Sequence, residues 1–142
     1  QRALGAAFEA RQVRKRYEAV VAGALPASED WHEIDAPIAA DWPRRPLRIV
    51  DAAGQPSLTR WRVLRRLPGR DASRLLLEPV TGRTHQLRVH LASIGHPILG
   101  DALYGDATAQ AGAPRLLLHA TLLELAHPAS GERLRFASAP AF

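Results

Sequence analysis

Cysteine is absent from this 142-residue chain, which excludes a disulfide framework and any thiolate metal site. Long apolar runs are missing too. Runs such as Leu116-Leu117-Leu118 fall far short of the roughly 20 residues a membrane-crossing helix needs. The first residues carry no secretory signal pattern. There is no G-x-S-x-G elbow, phosphate loop or paired-glycine dinucleotide fingerprint, and Ser73, Ser93 and Ser130 do not sit in nucleophile settings. Lysine is nearly absent: of nineteen basic residues, eighteen are arginine and one is Lys15.

What remains is the composition of one globular domain, 46% hydrophobic and 23% charged. A chain of this length buries roughly two-thirds of its unfolded surface. The net charge of +5 favours a polyanionic partner, with nucleic acid ahead of an anionic membrane. The arginine preference fits a GC-rich genome as well as it fits selection for function. Either way, guanidinium forks bind phosphates bidentately and stack on bases.

Periodicity sets the organisation. Leu4, Ala7 and Phe8 share one face of an opening helix that is already under way at Gln1, so the chain reads as the C-terminal part of something longer. Residues 13–23 alternate as a strand, with Tyr17, Ala19 and Val21 on one face and Arg16, Glu18 and Val20 on the other. A turn at 25–29 and a short strand at 31–34 follow. Residues 36–55, punctuated by Pro37, Pro43 and Pro46, read as loop. A strand at 58–67 sets Trp61 and Val63 against Arg60 and Arg62, and a turn at 68–71 returns it as an apolar strand at 73–80. A helix from Thr84 to Ile94 takes Thr84 as N-cap, buries Leu87, Leu91 and Ile94, and stops at Gly95 and Pro97. Residues 105–114 read as a mobile loop, and 115–126 with 132–137 as a final hairpin. Strand hairpins with two helices predict an α+β fold, with a mainly antiparallel mixed sheet and a few flanking helices.

The stretch 78–105, EPVTGRTHQLRVHLASIGHPILGDALYG, is the richest in chemistry. Arg88 lies about 100° round the helix from Leu87, beside the buried stripe, and needs a carboxylate partner. A structural ion pair with Glu78 or Asp101 would suffice. His85 and His90 are five apart, about 140° round the helix, which argues against a shared metal. Capping or hydrogen bonding suits each, and His85 in the first turn can also touch phosphate. Tyr17, within R-K-R-Y, can stack a base or fill the core. Leu116 to Leu118 reads as core strand. Arg60, Arg62, Arg65 and Arg66 form either a solvated face or an RNA track, and Arg44-Arg45 is exposed between prolines.

The blocks occur in a telling order: R-K-R-Y (14–17), D-W-P-R-R-P (41–46), T-G-R-T-H-Q-L-R-V-H (81–90), G-H-P-I-L-G-D (95–101), L-L-L-H-A (116–120) and H-P-x-S-G-E (127–132). A proline-to-phenylalanine ending at 140–142 completes them. Together they resemble the C-terminal half of the catalytic domain of an RluA-type pseudouridine synthase, in the branch acting on both ribosomal and transfer RNA. That resemblance implies a cofactor-free and metal-free isomerisation of uridines in structured RNA, by a cytoplasmic monomer with no membrane partner. It implies a catalytic aspartate in an H-R-L-D-x-x-T-S-G-type motif, which these 142 residues do not contain. Arg88 would pair with that aspartate and Tyr17 would stack on the uracil and help remove the C5 proton. Leu117 or Leu118 would floor the pocket, and Thr81, Gly82, Arg83 and His85 would shape its wall. Arg44, Arg45, Arg60, Arg62, Arg65 and Arg66 would meet RNA phosphates. The fragment alone would be inactive, with Arg88 left without a carboxylate unless Glu78 or another local acid substitutes. Two other readings stand: a non-catalytic RNA-binding module on the same scaffold, and a basic interaction domain with no RNA role.

Overall fold

Alternation of apolar and polar residues builds the sheet, and β1 (Arg14–Ala22) shows it most clearly. Ala19 and Val21 are buried on one face with Tyr17 packed beside them, while Arg16 and Glu18 take the other. The computed structural model describes residues 13–127 and 129–142, so the expected opening helix lies outside the described residues. β1 pairs with β6 (Ala72–Pro79) on one side and β7 (Leu118–Ala126) on the other. β5 (Leu58–Arg66) joins β6, β2 (His32–Asp35) joins β5, and β8 (Arg133–Ala137) joins β7. Among the described residues the order is β2-β5-β6-β1-β7-β8, and every pairing is antiparallel. This is the α+β architecture expected; hairpins join β5 to β6 and β7 to β8, while β1 meets β6 and β7 across longer connections.

One face of the sheet is covered by α1 (Gln86–Ser93), whose Leu87 and Leu91 close a core with Val21, Val63, Leu75 and Leu77. A smaller cluster of Val20, Ala72, Leu99 and Ala109 sits on the opposite face. Ile98 and Leu99 stitch the end of β1, with Leu99 N–H donating to the Val20 carbonyl and Leu117 N–H to the Leu99 carbonyl. No helix among the described residues is long and apolar enough to cross a membrane.

Three local expectations are corrected. Residues 36–55 are not loop throughout: β3 (Ile38–Ala40) and β4 (Arg48–Val50) form a hairpin whose tip is a 3-10 turn, Trp42–Arg44. The prolines flank its strands or occupy its tip, where a missing N–H costs no ladder bond. Residues 105–114 contain α2 (Ala107–Ala111), capped by the Asp106 side chain accepting from Ala109 N–H at 2.8 Å, with Ala109 fully buried. The motif helix begins at Gln86 rather than after a Thr84 cap: His85 holds the cap position in the left-handed region (φ 55°) with no side-chain cap bond. Ile94 is 37% exposed instead of buried, and Val89 and His90 are buried in addition, because α1 packs against β4 as well as β5 and β6. The helix ends as expected at Gly95 (φ 84°), where Gly95 N–H returns to the Ala92 carbonyl and His96 N–H to that of Leu91, a Schellman motif.

Candidate active site

At the end of β6 the chain leaves the sheet through Thr81 and Gly82 and turns into α1, opening a cavity of about 400 Å³ against β1. Leu87, Leu116 and Leu118 form its apolar wall, and Thr81, Gly82, Arg83 and His85 its polar rim. Tyr17 and Arg88 both line it. Tyr17 arrives there on the inner face of β1, beside a bulge where β7 carries one extra residue, Thr121. Its hydroxyl makes no hydrogen bond among the described residues. Leu117, expected as an alternative floor residue, is not on the cavity wall. It points the other way and packs between the two core clusters, while Leu116 takes the place beside Leu118.

Arg88 does have a carboxylate partner within the chain. Its Nε donates to Asp101 Oδ2 at 3.0 Å and its Nη2 to Oδ1 at 2.7 Å. Asp101 is wholly buried and also accepts from the Leu103 and Tyr104 backbone N–H groups, at 3.0 Å each. Burial alone would raise its pKa, but the Arg88 bond, the two backbone donors and the guanidinium charge outweigh it and hold the carboxyl below its ordinary value. The bond to Asp101 raises Arg88 in turn. Glu78 is not the partner, since it lies on the far face of the sheet. Nη1 of Arg88 makes no hydrogen bond among the described residues, and the side chain as a whole keeps 18% exposure.

Gln86 organises the rim. Its Oε1 accepts from the Thr81 hydroxyl at 2.6 Å and from Arg83 N–H at 3.1 Å, while its Nε2 donates to the Leu58 carbonyl and the Thr59 hydroxyl. One buried amide thus bolts the turn to β5. Arg83 is held outward, with Nε and Nη2 on the Pro56 carbonyl. His85 Nδ1 meets the Tyr104 hydroxyl at 2.7 Å, and that oxygen also accepts Arg48 N–H at 3.0 Å, tying the cavity rim to the β3–β4 hairpin. Burial, then the charge of Arg88, lowers the His85 pKa. His90 lies in the core, bonded to Thr59 and to the Ala36 carbonyl, so the two histidines serve separate networks.

The arginines expected to meet RNA are not gathered in one track. Arg44 and Arg45 are exposed at the hairpin tip. Arg60 donates to Glu78 at 3.0 Å and covers the Trp31 ring, and Arg62 Nε is buried without a hydrogen-bond partner. A bulge between Val63 and Arg65 keeps Arg65 on the face of Arg60 and Arg62, opposite Arg74, and turns Arg66 to the other. At about 3.3 Å per residue, Arg66 lies roughly 25 Å along β5 from the cavity end. The far face instead carries an ion ladder: Glu78 accepts from Arg16, Arg60 and Arg14, and Glu124 faces Arg14, Arg133 and Arg135. Beside it a second cavity of about 300 Å³, lined by Arg14, Lys15, Arg60, Glu78 and Arg133, shares Lys15 and Pro79 with the first. Sequence reasoning missed Lys15, Gln86, Leu116 and Tyr104. R-K-R-Y held the signal for Lys15, but nothing in the pattern marked Gln86.

A family model described as RNA pseudouridylate synthase matches residues 1–93. The chain is 45% identical over 136 residues to the dual-specificity RNA pseudouridine synthase RluA of Pasteurella multocida, covering 95% of this chain and 61% of that protein. It is 43% identical to the same-named protein of Escherichia coli over 99% of this chain and 63% of that one. The structure of human RNA pseudouridylate synthase domain containing 1 superposes with a TM-score of 0.80 at 33% identity, covering 96% of this chain and 58% of that chain. The chain thus spans about three-fifths of the length of these curated relatives.

Proposed function

Since the chain belongs to the RNA pseudouridylate synthase family, we propose that its full protein isomerises uridines to pseudouridine in structured ribosomal and/or transfer RNA, and that these residues build the base pocket. One observation carries the reading. Tyr17 and Arg88, far apart in sequence, line a single cavity with leucines on its wall. A flat pyrimidine needs an apolar floor and an aromatic face, and it must leave its stack to reach them. Tyr17 and Leu118 supply these. In this reading the glycosidic bond breaks, the uracil rotates, and C5 is joined to C1′ of the ribose while Tyr17 assists removal of the C5 proton.

The carboxylate nucleophile is assigned to chain outside these 142 residues. No aspartate or glutamate lines the cavity among the described residues, and Asp101 is sealed behind Arg88. In this reading the Arg88 guanidinium keeps that carboxylate ionised. The exposed arginines, Arg44 and Arg45 foremost, supply phosphate contacts. The reading takes the chain as the C-terminal part of one catalytic domain in a cytoplasmic monomer.

The Arg88–Asp101 pair also favours a second reading, a non-catalytic RNA-binding module in which Arg88 only holds the scaffold. Tritium release from C5-labelled uridine in tRNA and ribosomal RNA transcripts, with EDTA present, separates the two. The full protein should release tritium and the 142-residue chain alone should not. RNA binding without release by the full protein would leave the module as the answer.

A further inference from the structure

We propose that Trp42, at the tip of the β3–β4 hairpin, is a stacking platform for an unpaired RNA base next to the extruded uridine; this rests on the RNA reading above. Trp42 is 67% exposed, the highest value among the large apolar side chains of the described residues, and no residue of its turn is buried. An indole in that position contributes nothing to the core. Yet the turn that presents it is rigidly built. Asp41 N–H donates to the Leu47 carbonyl, Leu47 N–H to that of Arg44, and Arg44 N–H to that of Asp41. Arg44 Nε also grips Asp41 Oδ2 at 2.7 Å, and Arg45 Nη1 holds the Trp42 carbonyl at 3.1 Å. Pro43 and Pro46 fix two further φ angles. A rigid aromatic loses little entropy when it binds, which suits an anchor.

The surroundings select the partner. The Arg45 guanidinium lies 5.5 Å from the Trp42 ring centroid and Arg44 is beside it, so the tip offers an aromatic face with cations in reach of a phosphodiester. That combination fits a nucleotide of single-stranded RNA rather than an apolar protein segment. The tip is also coupled to the cavity, because Arg48 N–H binds the Tyr104 hydroxyl that holds His85 on the rim. Flipping one uridine leaves its neighbours without a stacking partner, and Trp42 offers one from the hairpin that this bond joins to the rim.

The test measures binding of a fluorescein-labelled stem–loop RNA with uridines in its loop to the full protein and to Trp42→Ala and Trp42→Phe. Trp42→Ala should weaken binding on the order of ten-fold with the salt dependence unchanged, since a stack and not a phosphate contact is lost. Trp42→Phe should keep most of the affinity, and RNA should quench the wild-type tryptophan fluorescence more than that of Trp42→Phe. Wild-type affinity in Trp42→Ala, or equal weakening in both variants, would overturn the platform while leaving the RNA reading intact. Quenching that follows protein concentration without RNA would overturn it by making the tip an interface between copies. A wild-type protein that binds no RNA would remove the RNA reading itself, and the platform with it.

Discussion

Asp101 holds Arg88 by Nε and Nη2 at 3.0 and 2.7 Å, so the arginine that lines the cavity is aimed from behind by a carboxylate the solvent never touches. Breaking such a pair from one side leaves an uncompensated charge. Asp101→Ala should therefore destabilise the chain by about 3 kcal/mol, near the low end for buried pairs because Arg88 keeps 18% side-chain exposure. Arg88→Ala should cost a comparable amount, and the double variant clearly less than the sum. Urea melts of the four proteins give the coupling directly; strict additivity would mean the pair is not an energetic unit.

In the full protein Arg88→Ala should abolish turnover more than RNA binding, because the charge it removes acts on the reacting carboxylate and not on phosphates. Tritium release and binding measured on the same variant decide this. Full activity would sink the role given to Arg88.

Tyr17→Phe removes a hydroxyl that has no partner among the described residues, so its stability should stay within about 0.5 kcal/mol of wild type. Turnover by the full protein should fall nonetheless, since the ring can still stack but the proton acceptor is gone. Unchanged release by Tyr17→Phe would leave only stacking for this residue.

His90 gives the fold a pH dependence. The Ala36 carbonyl can only accept, so Nε2 carries the proton and Nδ1 accepts from the Thr59 hydroxyl, each at 2.8 Å. Burial lowers the His90 pKa below its ordinary 6.5, against an opposing pull from the Ala36 bond, and His85 is lowered in the same direction. The unfolded chain therefore binds protons first. The stability contributed by neutral His90 is whole above pH 6.5 and is lost as pH falls through the depressed folded value. Melting temperature should drop between about pH 7.5 and about pH 5.5, and less so in His90→Gln. A flat wild-type profile would contradict this.

RNA affinity should fall steeply with salt, with a log–log slope of roughly 0.7 to 0.9 per phosphate neutralised. Replacing Arg44 and Arg45 together by alanine should flatten that slope. Replacing Arg65 and Arg66 should change it little, because they sit at the far end of β5 from the cavity. Filter binding across a salt series distinguishes the pairs, and equal effects would restore a single continuous track.

Strands β1 and β5 were legible because period-two alternation records their two unlike faces, while β6 and β7 were legible as apolar runs bounded by turn residues. The hairpin β3–β4 was not, since strands of three residues are too short to alternate. Helix α2 was hidden in small residues whose only signal was the Asp106 cap. For the site, Arg88 and Tyr17 could be read from their blocks, and Asp101 was already one of two named acids. The role of Gln86 could not, because its four bonds reach β5 and a turn that are neighbours only after folding.

The leucines at 116, 117 and 118 are identical letters that the fold reads as odd and even. The cavity takes the even pair and leaves Leu117 to the core. Shifting β7 by one position would invert that parity and set Leu117 between Arg115 and His119 on the pocket floor. Two basic side chains would then crowd the space where a neutral base is meant to lie. A one-residue slip of that register is therefore the smallest change that could alter the pocket's chemistry without substituting any residue that lines it.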